Sequence, residues 1–448
     1  MSYNDFFSPE GTVLPALDDL VDVSIFDHDL IDDDILFYPR LYLNPLRQLV
    51  TSQRTVVHQE DVLLGRTDLQ GICWRKGDVG KEAYRAFREK THSIMNMYYP
   101  APYPFEENRG DLDYTGNEFY RFRFTDTKLH CTYGHPQLRN LVCAPTKNDV
   151  YYLAEDSVQH WCPQLRSSKS ILGRPHRGPH SRLPHRVTTM AAKDEHLLVG
   201  GDDGSFTYMN LETSAKPILG DFSETDYMEV NGMEISRSRT GGLHAFISVN
   251  GPQVRCVDLH SLATYASYPT NWFANYTSQS PDGHMIGIVG DHHQALVMSV
   301  NSREIIATLS GHKRHAFSVA WSPDSRMIAT GSDDRSTCIY DTRNMDEPVH
   351  ILAKDITDSV RSLRYSPCGR YLVMAEDRNY IHIVDTTSDY SKAQKIDFVG
   401  DVSGISLTPD GESLFVGVSK VDFSSILEFE KVNSSIDSFL DGVTMTFG

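Results

Sequence analysis

From residue 117 onward the chain alternates apolar and polar positions in short runs, with turn residues intervening about every 8–12 positions, a period-2 pattern that predicts small antiparallel sheets. Four of the turns share a Ser/Thr-Pro pair, at Pro281, Pro323, Pro367 and Pro409, spaced 42, 44 and 42 residues apart. Alternating apolar residues precede the last three: Val319 and Trp321, Leu363 and Tyr365, Ile405 and Leu407. The stretch before Pro281 is polar and reads as a weaker copy. After each proline come a turn (Asp282-Gly283, Asp324-Ser325, Cys368-Gly369, Asp410-Gly411) and another short apolar run. Asp291, Asp333 and Asp377 follow the first three prolines by ten residues, and Val297, Ile339 and Ile383 follow those by six. A unit of this length, repeated, predicts stacked copies of one supersecondary element.

The best-formed copy runs from Gly311 to Asp341. Gly311-His312 opens it, Phe317–Pro323 and Met327–Gly331 read as strands, Ser332-Asp333-Asp334 as a tight turn, and Cys338-Ile339-Tyr340-Asp341 closes it. This pattern resembles a WD repeat, with Tyr340 where that family usually has Trp. The resemblance implies a buried hydrogen-bonded tetrad of His312, Thr330, Asp334 and Tyr340. Weaker copies follow Gly134-His135, flank Asp202-Asp203-Gly204, and flank Asn250-Gly251, a hairpin signal. In the copy around Pro367, Arg378 stands where the turn Asp is expected. Seven copies are counted, near 130–162, 185–215, 228–262, 270–305, 312–345, 356–390 and 400–432. The expected fold is therefore all-β, a seven-bladed β-propeller of WD repeats over 117–432, with an N-terminal extension containing one helix. Since Phe119–Phe124 precedes the first Gly-His, it is expected to supply the outer strand of the last blade and close the ring.

Outside the repeats, residues 1–37 carry ten acids between Asp5 and Asp34 and no Lys or Arg. They hold ten of the eighteen net negative charges, so the acidity belongs to a tail, expected to be disordered, in which acids alternate with apolar residues such as Leu20, Ile25, Phe26 and Leu30. Residues 38–116 form the extension. In it, Tyr84, Phe87, Thr91, Ile94 and Tyr98 follow helical spacing and predict a helix near 79–97, packed on the propeller. Together with Thr67–Trp74 and Gly134–Leu153, this region resembles a group of fungal and plant WD-repeat, transducin-like proteins, a resemblance that brings no activity with it. Residues 433–448 are a second tail. Between Arg166 and Arg186 lie Arg166, Lys169, Arg174, Arg177, Arg182 and Arg186 with no acid, a candidate loop for an acidic partner. The histidines at 176, 180 and 185 match no zinc spacing, so no metal is expected.

Seven cysteines, an odd number with no CxxC pair, read as reduced thiols of a cytoplasmic or nuclear protein. No apolar stretch is long enough to span a membrane. There is no GxSxG, GxxxxGK, GxGxxG or HExxH motif, so neither catalysis nor a cofactor is expected. His312, Thr330 and Asp334 imitate a catalytic triad but are read as packing. The expectation is a non-catalytic scaffold that binds other proteins and is monomeric outside its complexes; overall acidity argues against nucleic acid as a ligand. A narrower alternative rests on Tyr340-Asp341-Thr342-Arg343. It resembles the box by which propeller substrate receptors of cullin-RING ubiquitin ligases dock their adaptor, and it implies contact through Asp341 and Arg343.

Overall fold

The computed structural model describes residues 56–74, 80–86 except 83, 112–173 except 156, 184, 186–222 except 214, 228–419 and 424–432 of the 448. Within them the chain forms seven antiparallel blades in a ring. Blades 1 to 5 are separate four-stranded sheets whose innermost strands are Val142–Thr146, Val187–Lys193, Val230–Arg237, Ala274–Gln279 and Ala316–Trp321. Blades 6 and 7 are fused, because one strand, Lys392–Leu407, pairs with Arg378–Asp385 along its first half and with Ser413–Ser419 along its second. It is thus the outer strand of blade 6 and the inner strand of blade 7.

Each Ser/Thr-Pro landmark is the hairpin between the first two strands of a blade. The hydroxyl before the proline accepts the backbone N–H five residues on: Ser280 from Met285 at 2.9 Å, Ser322 from Met327 at 2.9 Å, Ser366 from Tyr371 at 2.9 Å and Thr408 from Ser413 at 3.0 Å. The recurrent dipeptide therefore satisfies a donor that the turn would otherwise leave unpaired. The polar strand before Pro281 is a full blade strand, buried along its whole length. Its polar side chains bond neighbouring blades: Asn275 to the Ala316 carbonyl, Thr277 to Ser248, and Gln279 to His244.

Apolar burial is divided among seven clusters, one at each seam between blades. Val289, Val297 and Leu309 of blade 4, for instance, meet Val319, Trp321 and Ile328 of blade 5. The seam between the last and first blades is as well filled as the others, with Phe415 and Ile426 against Val142, Val150 and Trp161. The expected closing strand is present as Tyr120–Asp126, paired antiparallel with Ser425–Lys431. Val56–His58 then adds a fifth strand outside it. The ring is closed by N-terminal sequence, which covers the open edge of the last blade.

The extension also clasps blade 6. Gln70 takes both backbone groups of Val399, receiving its N–H at 2.6 Å and donating to its carbonyl at 2.8 Å. Of the helix expected near 79–97, residues 81, 82 and 84–86 are helical and Gly80 is not; the rest lies outside the described residues. Tyr84 is buried against Trp74, and Arg85 pairs with Asp397 while lying over the Tyr380 ring. The segments 1–37 and 433–448 also lie outside the described residues.

Candidate functional site

His312, Thr330, Asp334 and Tyr340 come together at one end of blade 5. The loop before the innermost strand delivers His312, whose Nε2 lies 2.8 Å from Thr330 Oγ1 and whose Nδ1 lies 3.2 Å from Asp334 Oδ2. The Lys313 N–H donates to the same carboxylate oxygen at 2.8 Å. Sequence reasoning missed Ser336, which donates to Asp334 Oδ1 and sits 3.1 Å from His312 Nδ1. Tyr340 closes the cluster from the loop side: its hydroxyl accepts the Gly311 N–H at 2.7 Å and meets Cys338, whose sulfur stands 3.6 Å from His312 Nδ1. Glycine is required there, since a Cβ on Gly311 would stand 2.5 Å from that hydroxyl. Burial raises the Asp334 carboxyl, but His312, Ser336 and the Lys313 N–H outweigh it and bring it down to about 2. Burial opposes charge on His312, while Cys338 and Asp334 beside it prevail and raise it to about 10. At 4% exposure, with both ring nitrogens engaged, this histidine is closed to a substrate.

Blade 6 has no such arrangement, its histidine position being Ile356 and its turn position Arg378. A different pair fills the space. His382 and Glu376, both fully buried, meet at 2.6 Å. Thr357 donates to the other Glu376 oxygen at 2.6 Å, and Tyr114 of the extension meets His382 Nδ1 at 2.8 Å.

The loops preceding the inner strands and the hairpins between second and third strands share one end of the ring, termed here the upper face. Across it runs a chain of arginines and aspartates that the sequence did not announce. Arg314 meets Asp333 at 3.0 Å, Arg361 meets Asp333 at 3.3 Å and Asp377 at 3.7 Å, and Arg139 meets Asp377 at 2.7 Å. Arg378, out of place as a tetrad member, joins this chain through Asp358 and Asp377. Two of the guanidiniums lie on rings, Arg361 over Phe317 at 3.8 Å and Arg139 over Tyr133 at 4.5 Å. Buried pairs of this kind add little net stability but fix geometry, because breaking one leaves a stranded charge. They lock the loops of blades 5, 6 and 1 into one rigid surface. On its rim Trp272 lies parallel to His292, Phe273 is 46% exposed, and His293 and His315 are exposed.

Nearby, His135 and Glu229 stand 3.8 Å apart. Burial and the surrounding arginines push His135 down to about 4, while burial and Asp202 push Glu229 up to about 7. Burial thus disfavours the charged form of both groups.

The remaining expected residues scatter. Arg343, at the opposite end of the ring, is exposed and chelated by Asp341, with Nε 2.9 Å from Oδ1. Of the six basic residues of 166–186, the three described ones are spread out: Arg166 lies in the outer hairpin of blade 1, Lys169 on that blade's outermost strand, Ser167–Gly173, and Arg186 on the upper face, its backbone N–H bonded to Asp202. The prolines and glycines of the run read as a loop, and the serine-rich edge strand within it carries no apolar alternation to mark it. Arg174, Arg177 and Arg182 lie outside the described residues.

Residues 303–341 match the family described as WD domain, G-beta repeat. THO complex subunit 3 of Arabidopsis thaliana is 32% identical over 139 residues, 30% of this chain and 41% of that protein. The probable cytosolic iron-sulfur protein assembly protein Ciao1 of Culex quinquefasciatus is 29% identical over 86 residues, 19% of this chain and 25% of that one. The chain thus spans less than half the length of these curated relatives. A chain in the crystal structure of the mitotic checkpoint complex superposes with a TM-score of 0.55 at 17% identity, covering 75% of this chain and 97% of that one, a likeness of fold alone.

Proposed function

The chain is a seven-bladed WD-repeat β-propeller, and we propose that it serves as a non-catalytic platform on which other proteins assemble. The observation that carries this reading is the upper face: a lattice of buried Arg–Asp pairs holding loops of several blades, rimmed by half-exposed and exposed aromatic side chains. Preorganised surfaces with aromatic anchors lose little entropy on binding a partner. The only triad-like set of residues that the sequence offered, at His312, is sealed into the blade. The similar THO complex subunit 3 is by its name a component of an assembly, which agrees with a role of this kind. Free thiols at Cys131, Cys256 and Cys338, all buried, fit residence in the cytoplasm or nucleus. Affinity purification of the full chain against its Phe273→Ala variant tests the reading. Specific partners should be lost from the variant; an unchanged set of partners sinks the assignment to this face.

A second reading is favoured by the exposed, chelated Arg343, whose guanidinium Asp341 holds in place at the opposite face. It would dock a ubiquitin-ligase adaptor there. Arg343→Ala should abolish adaptor pull-down, and no pull-down by the unaltered chain removes this alternative.

A further inference from the structure

We propose that the seam between blades 7 and 1 is a docking surface for the chain's own acidic segment, residues 5–36. The three most exposed large apolar side chains among the described residues are Leu63 at 75%, Leu165 at 74% and Leu64 at 61%. All three belong to this corner. Leu63 and Leu64 end the short helix Gln59–Leu63 that follows the added strand of blade 7, and Leu165 lies in the outer hairpin of blade 1 beside Arg166. The two parts touch, with Arg166 Nη2 3.4 Å from His58 Nε2 and its guanidinium over the Phe124 ring.

The cation here, Arg166, is unlike its neighbours. Arg66 has Asp61 at 3.3 Å, Arg121 has Glu118 at 3.0 Å, and Arg123 has Glu428. Arg166 has no carboxylate partner among the described residues. The seam thus offers apolar surface and a guanidinium without a carboxylate together. Both are what residues 5–36 complement, with ten acids interleaved with Leu20, Ile25, Phe26 and Leu30.

Position favours this occupant over an outside one. The described chain begins at Val56, in the added strand itself, so only about 20 residues separate position 36 from the seam. Extended, they span roughly 65–70 Å, so the segment reaches the seam at an effective concentration in about the millimolar range. The proposal is independent of the upper face and stands or falls without it. Its consequence is that an external acidic partner at this seam has to displace the chain's own residues.

Photo-cross-linking of the full chain with benzoylphenylalanine in place of Leu165, followed by mass spectrometry of the monomer, tests it; the same replacement at Ile305, exposed on blade 4, is the reference. Links from position 165 to residues 5–36 are expected at several times the yield from position 305. Arg166→Ser, at an exposed position, should lower the yield from position 165 by up to about fivefold, and molar salt should lower it likewise. Three outcomes overturn the proposal: no link from position 165 to residues 5–36, equal yields from the two positions, or a yield indifferent to Arg166→Ser. Links confined to covalent dimers would also overturn it, by assigning the surface to a second copy.

Discussion

At the residue scale, Asp334 shows how one side chain holds a loop and a hairpin together. It accepts from His312, Ser336 and the Lys313 N–H, so Asp334→Ala strands three donors in a buried place. The expected cost is about 1–3 kcal/mol, read as a lowered melting temperature; an unchanged one would show that the cluster is dispensable. Its pH dependence has a definite sign. The folded carboxyl sits at about 2, below its ordinary 3.8. Its contribution is therefore intact above about pH 4 and is lost as pH falls through 2, and the Ala variant should lack this part of the acid transition. Glu229 has the opposite sign. Its folded pKa of about 7 lies above the ordinary 4.5, so its charge opposes folding increasingly as pH rises through 7. Glu229→Gln should stabilise by about 1–3 kcal/mol at pH 8 and hardly at all at pH 4, as denaturant melts at the two pH values would show. Of these residues, Asp334 was legible through its spacing from His312. Glu229 was not, because its environment comes from Asp202 and Arg186 on another blade.

At the element scale, the added pieces matter more than their size suggests. Gln70, 3% exposed, replaces a strand partner for Val399 by bonding both its N–H and its carbonyl. Gln70→Ala leaves both unpaired and should cost about 2–4 kcal/mol. A thermal melt in which Ala and wild type coincide would mean that water reaches these groups. The blade hairpins were readable because their Ser/Thr-Pro pair is a local solution to a local donor. The clasp was not, since Gln70 and Val399 are 329 residues apart in sequence.

At the scale of the whole molecule, stability comes from seven seams, and the last is closed by chain that precedes the first blade. Deleting residues 1–37 should leave the melting curve within about a degree of the full chain. Deleting 1–126 removes Tyr120–Asp126 and Val56–His58, exposes the edge of Ser425–Lys431 and takes Phe124 out of the closing seam. That chain should be insoluble or lack a cooperative transition; a soluble, cooperatively melting product would show that six intact blades and a trimmed seventh suffice.

Repeat number, hairpin positions and the ring-closing strand were present in the sequence, because each depends on periodicity and on turn chemistry within a few residues. The tetrad residues were legible for the same reason, their spacing being that of one blade. The arginine–aspartate chain, the Glu376–His382–Tyr114 cluster and the exposed seam at Leu165 and Arg166 depend on which blades become neighbours and on where the extension lies. Arg139 and Asp377 gain their meaning only when the ring closes and brings two charges, 238 positions apart, to 2.7 Å in a buried place. Local patterning specifies the blade; only closure decides which charges are buried together and which are left facing solvent.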